Sequence, residues 1–269
     1  MIIGRRCAVG ILALAAFAPV AHAEDDARAI LRSTSDYLAK QQTFSATFNT
    51  DIEVVTTDLQ KIQFASSGQV AVSRPNKVHA ARTGGFADVE MIFDGKQLTI
   101  HSKDAKSFAR MDVPGTIDEL VVKLESDGHA LPGADLLLSN VYDALNAGVV
   151  DAKHIGTGVI GGVECEHLAF RNADTDWQLW VRTGAEPIPC KYVITSKAVT
   201  GAPPNIRLSS IPGVQRQRMI SRSYRLPTAS RWTRRKCPIS TIFRKEPAND
   251  QAHETCRPGR RSSYHPPCR

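Results

Sequence analysis

The sequence lacks the residue constellations that are typical of enzymes and metal proteins. No Gly-x-Ser-x-Gly elbow occurs, and Glu166, Asp174 and Asp176 fall on a turn and on strand edges, a pattern typical of solvated charge. Cys165 and His167 supply only two ligands, whereas a structural zinc ion takes about four. The sequence therefore predicts no catalytic residue, no metal site, no cofactor and no enzymatic activity.

A nucleotide-binding loop is also missing, although residues 155–162 contain a loose Gly-x-Gly-x-x-Gly pattern. A dinucleotide site needs a strand before this pattern and a helix after it. Here a predicted strand follows the glycines. We expect this segment to form a flexible loop or a hairpin.

Long apolar runs are scarce, and the longest lies near the N-terminus. Arg5 and Arg6 precede the apolar run 8–21, and residues 21–23 fit the small-x-small rule for cleavage. We expect residues 1–23 to be a cleaved signal peptide, so that the mature chain begins at Glu24. The alternative is a membrane anchor, but the run is shorter than the roughly 20 residues that span a bilayer. The expectation is a periplasmic protein whose mature form has no transmembrane segment.

Acidic residues are scarce only after Pro203 and Pro204. Residues 205–269 contain 15 Lys and Arg residues and three acidic residues. Residues 1–204 contain 19 Lys and Arg residues and 24 acidic residues. One interpretation of residues 204–269 is a disordered basic arm for an anionic surface. The interpretation we favour is a shift of reading frame after Pro203, because composition inverts abruptly there. A shifted frame would remove the last strands of the domain and leave an unpaired sheet edge. We expect no nucleic-acid partner.

Hydrophobic periodicity predicts one α+β domain over residues 24–203. Residues 25–41 have apolar residues at helical spacing, and period-two alternation follows until Asp94-Gly95, a strong hairpin signal. Thr116 and Glu119 have the spacing of a capping box and predict a short helix. A second short helix is expected to start at Asp135 and close near residues 146–148. The fold class is a curved antiparallel sheet with these three helices on one face.

Three further strands form a meander, which we place at residues 162–171, 176–182 and 189–195. Matching apolar residues gives a register with these pairs: Leu168 with Leu179, Phe170 with Trp177, and Tyr192 with Leu179. In this register Cys165 and Cys190 point to opposite faces, and a whole strand separates them. Their Cα atoms should lie about 9 to 10 Å apart, beyond the roughly 7 Å limit for a disulfide, so we predict that they do not pair.

The order of seven segments resembles the predicted periplasmic proteins of domain-of-unknown-function family 2092. The segments are Arg74-Pro75-Asn76-Lys77, Phe93-Asp94-Gly95-Lys96, Pro114-Gly115-Thr116-Ile117-Asp118, Ala134-Asp135-Leu136-Leu137, Cys165-Glu166-His167-Leu168-Ala169-Phe170-Arg171, Asp176-Trp177-Gln178 and Pro189-Cys190-Lys191-Tyr192-Val193-Ile194-Thr195. That family is similar in turn to the outer-membrane lipoprotein carriers, whose fold is an unclosed antiparallel half-barrel with helices in its mouth.

The resemblance implies a hydrophobic groove between sheet and helices that binds a lipid acyl chain or a lipoprotein. The alternative function is a protein-interaction module that presents its surface to another envelope protein without lipid. For the apolar sheet face itself, the interpretation we favour is an ordinary packed core, because protein interiors fill to crystal-like density. If a groove exists, we expect these residues to line it: Phe48, Phe64, Met91, Phe93, Leu168, Phe170, Trp177, Leu179, Tyr192 and Ile194.

Overall fold

Half of the described chain is β-strand, in keeping with the period-two alternation. The structure is a computed structural model that describes residues 21–85, 87–129 and 131–210. Nearly all of the predicted signal peptide and all of the chain after Ser210 lie outside these residues, so both expectations about them stay predictions.

The described residues contain four helical elements and eleven strands. The helices are α1 (Ala21–Ala39), α2 (Ile117–Ser126), a 3-10 helix (Ala134–Leu137) and α3 (Val141–Asn146). The strands are β1 (Thr43–Val55), β2 (Lys61–Ser73), β3 (Lys77–Gly84), β4 (Ala87–Phe93), β5 (Gln97–Ser102), β6 (Ser107–Asp112), β7 (Asp151–Ile160), β8 (Val163–Arg171), β9 (Thr175–Arg182), β10 (Pro189–Ser196) and β11 (Asn205–Ser210).

All eleven strands form one antiparallel sheet in the order β6-β5-β4-β3-β2-β1-β11-β10-β9-β8-β7. The sheet does not close into a barrel, because β6 and β7 stand at its two ends. The sheet consists of two meanders, β1 to β6 and β7 to β10, which lie side by side. The strand that joins them is β11, which pairs with β1 on one side and with β10 on the other.

The position of β11 corrects the expectations about the segment after Pro203. Residues 205–210 continue the alternation, since Ile206 and Leu208 lie opposite Ile52 and Thr50 of β1. The sheet thus extends to Ser210, beyond the predicted boundary. A chain that lacked β11 would be interrupted in the middle of the sheet, not at its edge. The hypothesis of a shifted reading frame after Pro203 stays a prediction.

The predicted register of the second meander is confirmed: Leu168 lies opposite Leu179, Phe170 opposite Trp177, and Tyr192 opposite Leu179. The prediction that the two cysteines stay unpaired is wrong, because Cys165 and Cys190 form a disulfide with a Cα–Cα distance of 7.0 Å. The reason is a β-bulge in β10, where Pro189 pairs with Val181 but Lys191 already pairs with Trp180. Cys190 is the extra residue, and a bulge bends its strand and breaks the alternation that the prediction assumed.

Two other local expectations can be compared with the structure. The capping box at Thr116 and Glu119 is present at the start of α2. The expected second helix is instead divided into the 3-10 helix and α3. The glycine-rich segment is the strand β7 and the turn of the β7–β8 hairpin, in which Gly161 and Gly162 have φ of 58° and 82°, values that favour glycine.

Candidate functional site

The face of the sheet that carries the helices is called the inner face here, and two separate cores lie on it. The first core lies beneath α1 and α3 and contains Leu31 together with side chains from β7 to β10. The second lies beneath α2 and contains Leu120 together with side chains from β2 to β5. The helices thus cover the two ends of one continuous apolar face.

The residues predicted to line a groove are divided between these cores and the sheet between them. Buried in the first core are Leu168, Phe170, Trp177, Leu179 and Tyr192, with Ile194 packed against it. The second core buries Phe93 and packs Met91 against it. Phe48 and Phe64 belong to neither core and are only half-buried. The predicted set therefore includes both packed core and accessible apolar surface.

The inner face has accessible apolar side chains where β1, β2 and β11 run past the cores. The open apolar strip, as we call it, consists of these inner-face residues: Ile52, Val54, Ile62, Phe64 and Ile206. Cross-strand pairing places Ile52 between Phe64 and Ile206, and Val54 opposite Ile62. Four of these residues are half-buried, and Ile62 at the end of the hairpin is 40% exposed. The strip lies on the same face as the cores, towards the hairpin that joins β1 to β2.

The 3-10 helix lies between the two cores and bridges them. Leu136 packs on the first core and Leu137 on the second. Gly133, just before this helix, approaches Leu208 so closely that a Cβ there would lie 3.1 Å from the leucine Cδ2. This segment therefore contacts the inner face beside the open apolar strip, at the level of Thr50 and Leu208.

Two hydrogen-bonded contacts hold the 3-10 helix in place. The Tyr192 hydroxyl donates to Asp135 Oδ2 at 2.9 Å, and burial raises the pKa of both groups. Arg74 Nη1 donates to the Leu137 carbonyl oxygen at 2.6 Å, and its Nε donates to the Gln41 carbonyl oxygen. Burial lowers the pKa of the Arg74 guanidinium. The bridge between the cores is thus fastened to β10 and to the end of β2.

Sequence analysis missed three polar residues on the inner face. Thr50, Ser66 and Arg82 occupy the same strand parity as the apolar residues Phe48, Phe64 and Ala80, and no bulge interrupts β1, β2 or β3 between them. Thr50 lies directly opposite Ser66, and Arg82 lies opposite Gly68, two residues along β2 from Ser66. The signal that would have found them is a polar residue at an apolar position of a period-two pattern.

The polar residues weighed from the sequence for metal or acid–base chemistry have ordinary structural partners. His167 stacks on Trp180 with ring centroids 4.0 Å apart, and Cys165 is held in the disulfide. Glu166 pairs with His154 at 2.8 Å. Asp176 pairs with Arg171 and Lys197. Burial alone would raise the pKa of Asp176, but the hydrogen bonds and charges of these two cations outweigh burial, so its pKa is lowered overall. Glu166 therefore has a histidine partner and Asp176 two cationic partners.

The inner-face geometry defines a class of protein: an unclosed antiparallel sheet with two helix-covered cores and an accessible apolar strip between them. Residues 27–207 match the family described as "Predicted periplasmic protein (DUF2092)". The chain belongs to this family, as its seven segments indicated, and is a periplasmic protein. None of the curated proteins matches the chain. No helix within the described residues is long and apolar enough to cross a membrane.

Solved structures resemble the chain at low identity. The lipoprotein LppX of Mycobacterium tuberculosis is 14% identical over 70% of this chain and 94% of its own, with a TM-score of 0.42. MucB in its Pseudomonas aeruginosa complex with MucA is 13% identical over 69% and 55%, with a TM-score of 0.39. The LolA superfamily protein NE2245 of Nitrosomonas europaea is 12% identical over 71% and 94%, with a TM-score of 0.33.

Proposed function

We propose that this periplasmic protein binds the acyl chain of a lipid or of a lipoprotein on the inner face of its sheet, and that it acts as a binding protein without catalysing a reaction. The observation that carries the proposal is the open apolar strip. Its five residues extend the apolar face of the two cores without a helix of their own, and contiguous exposed apolar surface typically marks a ligand or partner site.

The shape of the strip favours an extended apolar ligand. Ile52, Phe64 and Ile206 lie side by side across three strands, while Val54 and Ile62 continue the strip towards the hairpin end. An acyl chain laid along β1 would contact both rows and remove them from water. Each buried CH₂ group contributes about 0.8 kcal/mol, so a chain of several methylenes supplies the affinity that a binding protein needs.

Native mass spectrometry of the full chain, purified from periplasm without detergent, tests the proposal. We expect wild-type protein to carry a lipid-sized mass that is lost in Phe64→Asp, because a carboxylate in the strip opposes burial of an acyl chain. Val122→Asp is the matched control, since Val122 is 64% exposed on α2 and away from the strip. That variant should keep the bound lipid.

A well-folded wild-type protein that carries no lipid, and takes none up from added fatty acid, would overturn the proposal. The alternative of a protein-interaction module would then be the better account of the strip. Pull-down of a periplasmic protein by wild type, lost in Phe64→Asp, would support that alternative.

A further inference from the structure

Two buried hydroxyl groups on the inner face are without a hydrogen-bond partner within the described part of the chain. Thr50 is 5% exposed and Ser66 is 7% exposed, and neither Thr50 Oγ1 nor Ser66 Oγ makes a hydrogen bond there. A buried polar atom left without a partner costs about 1 to 3 kcal/mol, and native structures contain few of them. Two such atoms on directly opposite residues indicate a place that is prepared for a polar ligand.

Arg82 lies beside these hydroxyl groups on the same face. Ser66 pairs with Gly84 of β3, and Arg82 is two residues before Gly84. The positions of Ser66 and Arg82 are therefore diagonal neighbours, about 7 to 8 Å apart, which a long side chain can bridge. Burial lowers the pKa of the Arg82 guanidinium. The planar guanidinium fork of an arginine suits the oxygens of an anion.

Two glycines keep side chains away from this group of residues. Gly68 lies opposite Phe48, and a Cβ at Gly68 would come within 2.5 Å of the Phe48 ring. Gly84 lies opposite Ser66, where a Cβ would come within 2.7 Å of the serine Cβ. The Phe48 ring therefore lies over Gly68, and Gly84 places no Cβ beside Ser66 from β3.

The geometry points to a site for the acidic head group of a lipid, in which Arg82, Thr50 and Ser66 bind a carboxylate or phosphate while the acyl chain lies along the open apolar strip. The guanidinium presents five N–H donors in a planar fork, which suits two oxygens of an oxyanion. The hydroxyl groups of Thr50 and Ser66 would each donate one additional hydrogen bond to the head group. Along the direction of β1, the level of Arg82 is followed by the level of Thr50 and Ser66, and then by the open apolar strip. This inference rests on the proposed function and narrows its ligand to an anionic lipid.

Paired ligands that share a chain but differ in head group test the inference. Delipidated full-length protein is titrated with oleate and with oleyl alcohol, and with dioleoyl phosphatidic acid and dioleoylglycerol, to distinguish a carboxylate from a phosphate source. We expect the anionic member of at least one pair to bind at least about tenfold more tightly, as charge-assisted hydrogen bonds require. Arg82→Gln should abolish this preference. Arg110→Gln, at an exposed position of β6, should keep it.

Thr50→Val and Ser66→Ala separate a ligand role from a structural role. Removing a buried hydroxyl group that has no partner should leave the melting temperature of the free protein equal or higher. The same changes should weaken binding of the preferred anionic lipid while binding of its neutral counterpart stays the same. A structural role would predict the opposite, namely a lower melting temperature and equal loss for both ligands.

The outcomes distinguish this inference from the proposed function. Equal binding of anionic and neutral ligands in both pairs, unchanged by Arg82→Gln, would overturn the head-group site and leave acyl-chain binding intact. Failure of all four lipids to bind a folded wild-type protein would overturn both.

Discussion

The hydroxyl group of Tyr192 donates a hydrogen bond of 2.9 Å to the carboxylate of Asp135. Tyr192 belongs to β10, whereas Asp135 belongs to the 3-10 helix between the two cores. Burial raises the pKa of Asp135, although the hydrogen bonds from Tyr192 and the Leu136 backbone act in the opposite direction. The negative charge of Glu125 raises the pKa further. This titratable contact thus fastens the bridge between the cores to β10.

Stability should fall as the pH rises through the folded-state pKa of Asp135. The folded protein holds this proton more tightly than the unfolded chain, so the stabilising contribution is fully present below the ordinary aspartate pKa and is lost above the raised value. Asp135→Asn should therefore reduce the loss of melting temperature between pH 4 and pH 7. The exposed Asp143→Asn on α3 is the control and should follow wild type. Equal pH profiles for Asp135→Asn and wild type would contradict the assignment.

Glu53 should hold β11 in the sheet. Its carboxylate accepts hydrogen bonds from the Asn205 backbone N, from Asn205 Nδ2 and from Arg207 Nη2, at 3.0, 2.9 and 2.9 Å. Burial alone would raise the pKa of Glu53, but these contacts and Lys61 lower it overall. Glu53→Ala should lower the free energy of unfolding by about 1 to 3 kcal/mol in urea titrations, because β11 loses its anchor.

The lowered pKa gives the Glu53 contact its own pH dependence. Its contribution is present above the ordinary glutamate pKa and is lost as the pH falls through the lower folded-state value. The difference between wild type and Glu53→Ala should hence shrink in acid. Glu164→Ala, an exposed position of β8, should cost little at either pH. A Glu53→Ala variant as stable as wild type at pH 7 would show that β11 is held by its backbone alone.

The disulfide should contribute a large part of the stability of the second meander. It closes a segment with a sequence separation of 25 residues between β8 and β10. The chain-entropy relation gives about 3 to 4 kcal/mol for a loop of this size. Melting of the Cys165→Ser, Cys190→Ser double variant should be insensitive to reductant, whereas wild type should lose stability when reduced. Free thiols at both positions in protein from periplasm would contradict this prediction.

Truncation should locate the end of the domain. A chain ending at Ser210 retains β11 and should unfold cooperatively, as the full chain does. A chain ending at Pro203 loses the strand that joins β1 to β10, so the two meanders would expose unpaired strands and tend to associate. Size-exclusion chromatography and denaturant titration measure both effects. Identical behaviour of the two truncated chains would contradict the central role of β11.

The sequence alone predicts the local elements better than the connections between them. The alternation around Phe170 and Trp177 was sufficient for the register of the second meander, because a slip of one residue would expose a buried face. The position of β11 was not predictable from its six residues, since pairing with β1 joins segments more than 150 positions apart in the chain.

The disulfide and the head-group site were missed for different reasons. A bulge such as the one at Cys190 depends on how strands twist together, and a period-two pattern contains no sign of it. Thr50 and Ser66 are small polar residues that are common on either face of a strand. Their importance becomes visible only when burial and hydrogen bonding are known.

The central claim, that an acyl chain lies on the open apolar strip, is tested most directly by photocrosslinking. A fatty acid with a terminal diazirine, bound to wild-type protein and irradiated, should label peptides that contain the strip residues of β1, β2 and β11, and excess unlabelled oleate should compete with it. Labelling distributed over α2 and the outer face, or labelling that oleate does not reduce, would contradict the account.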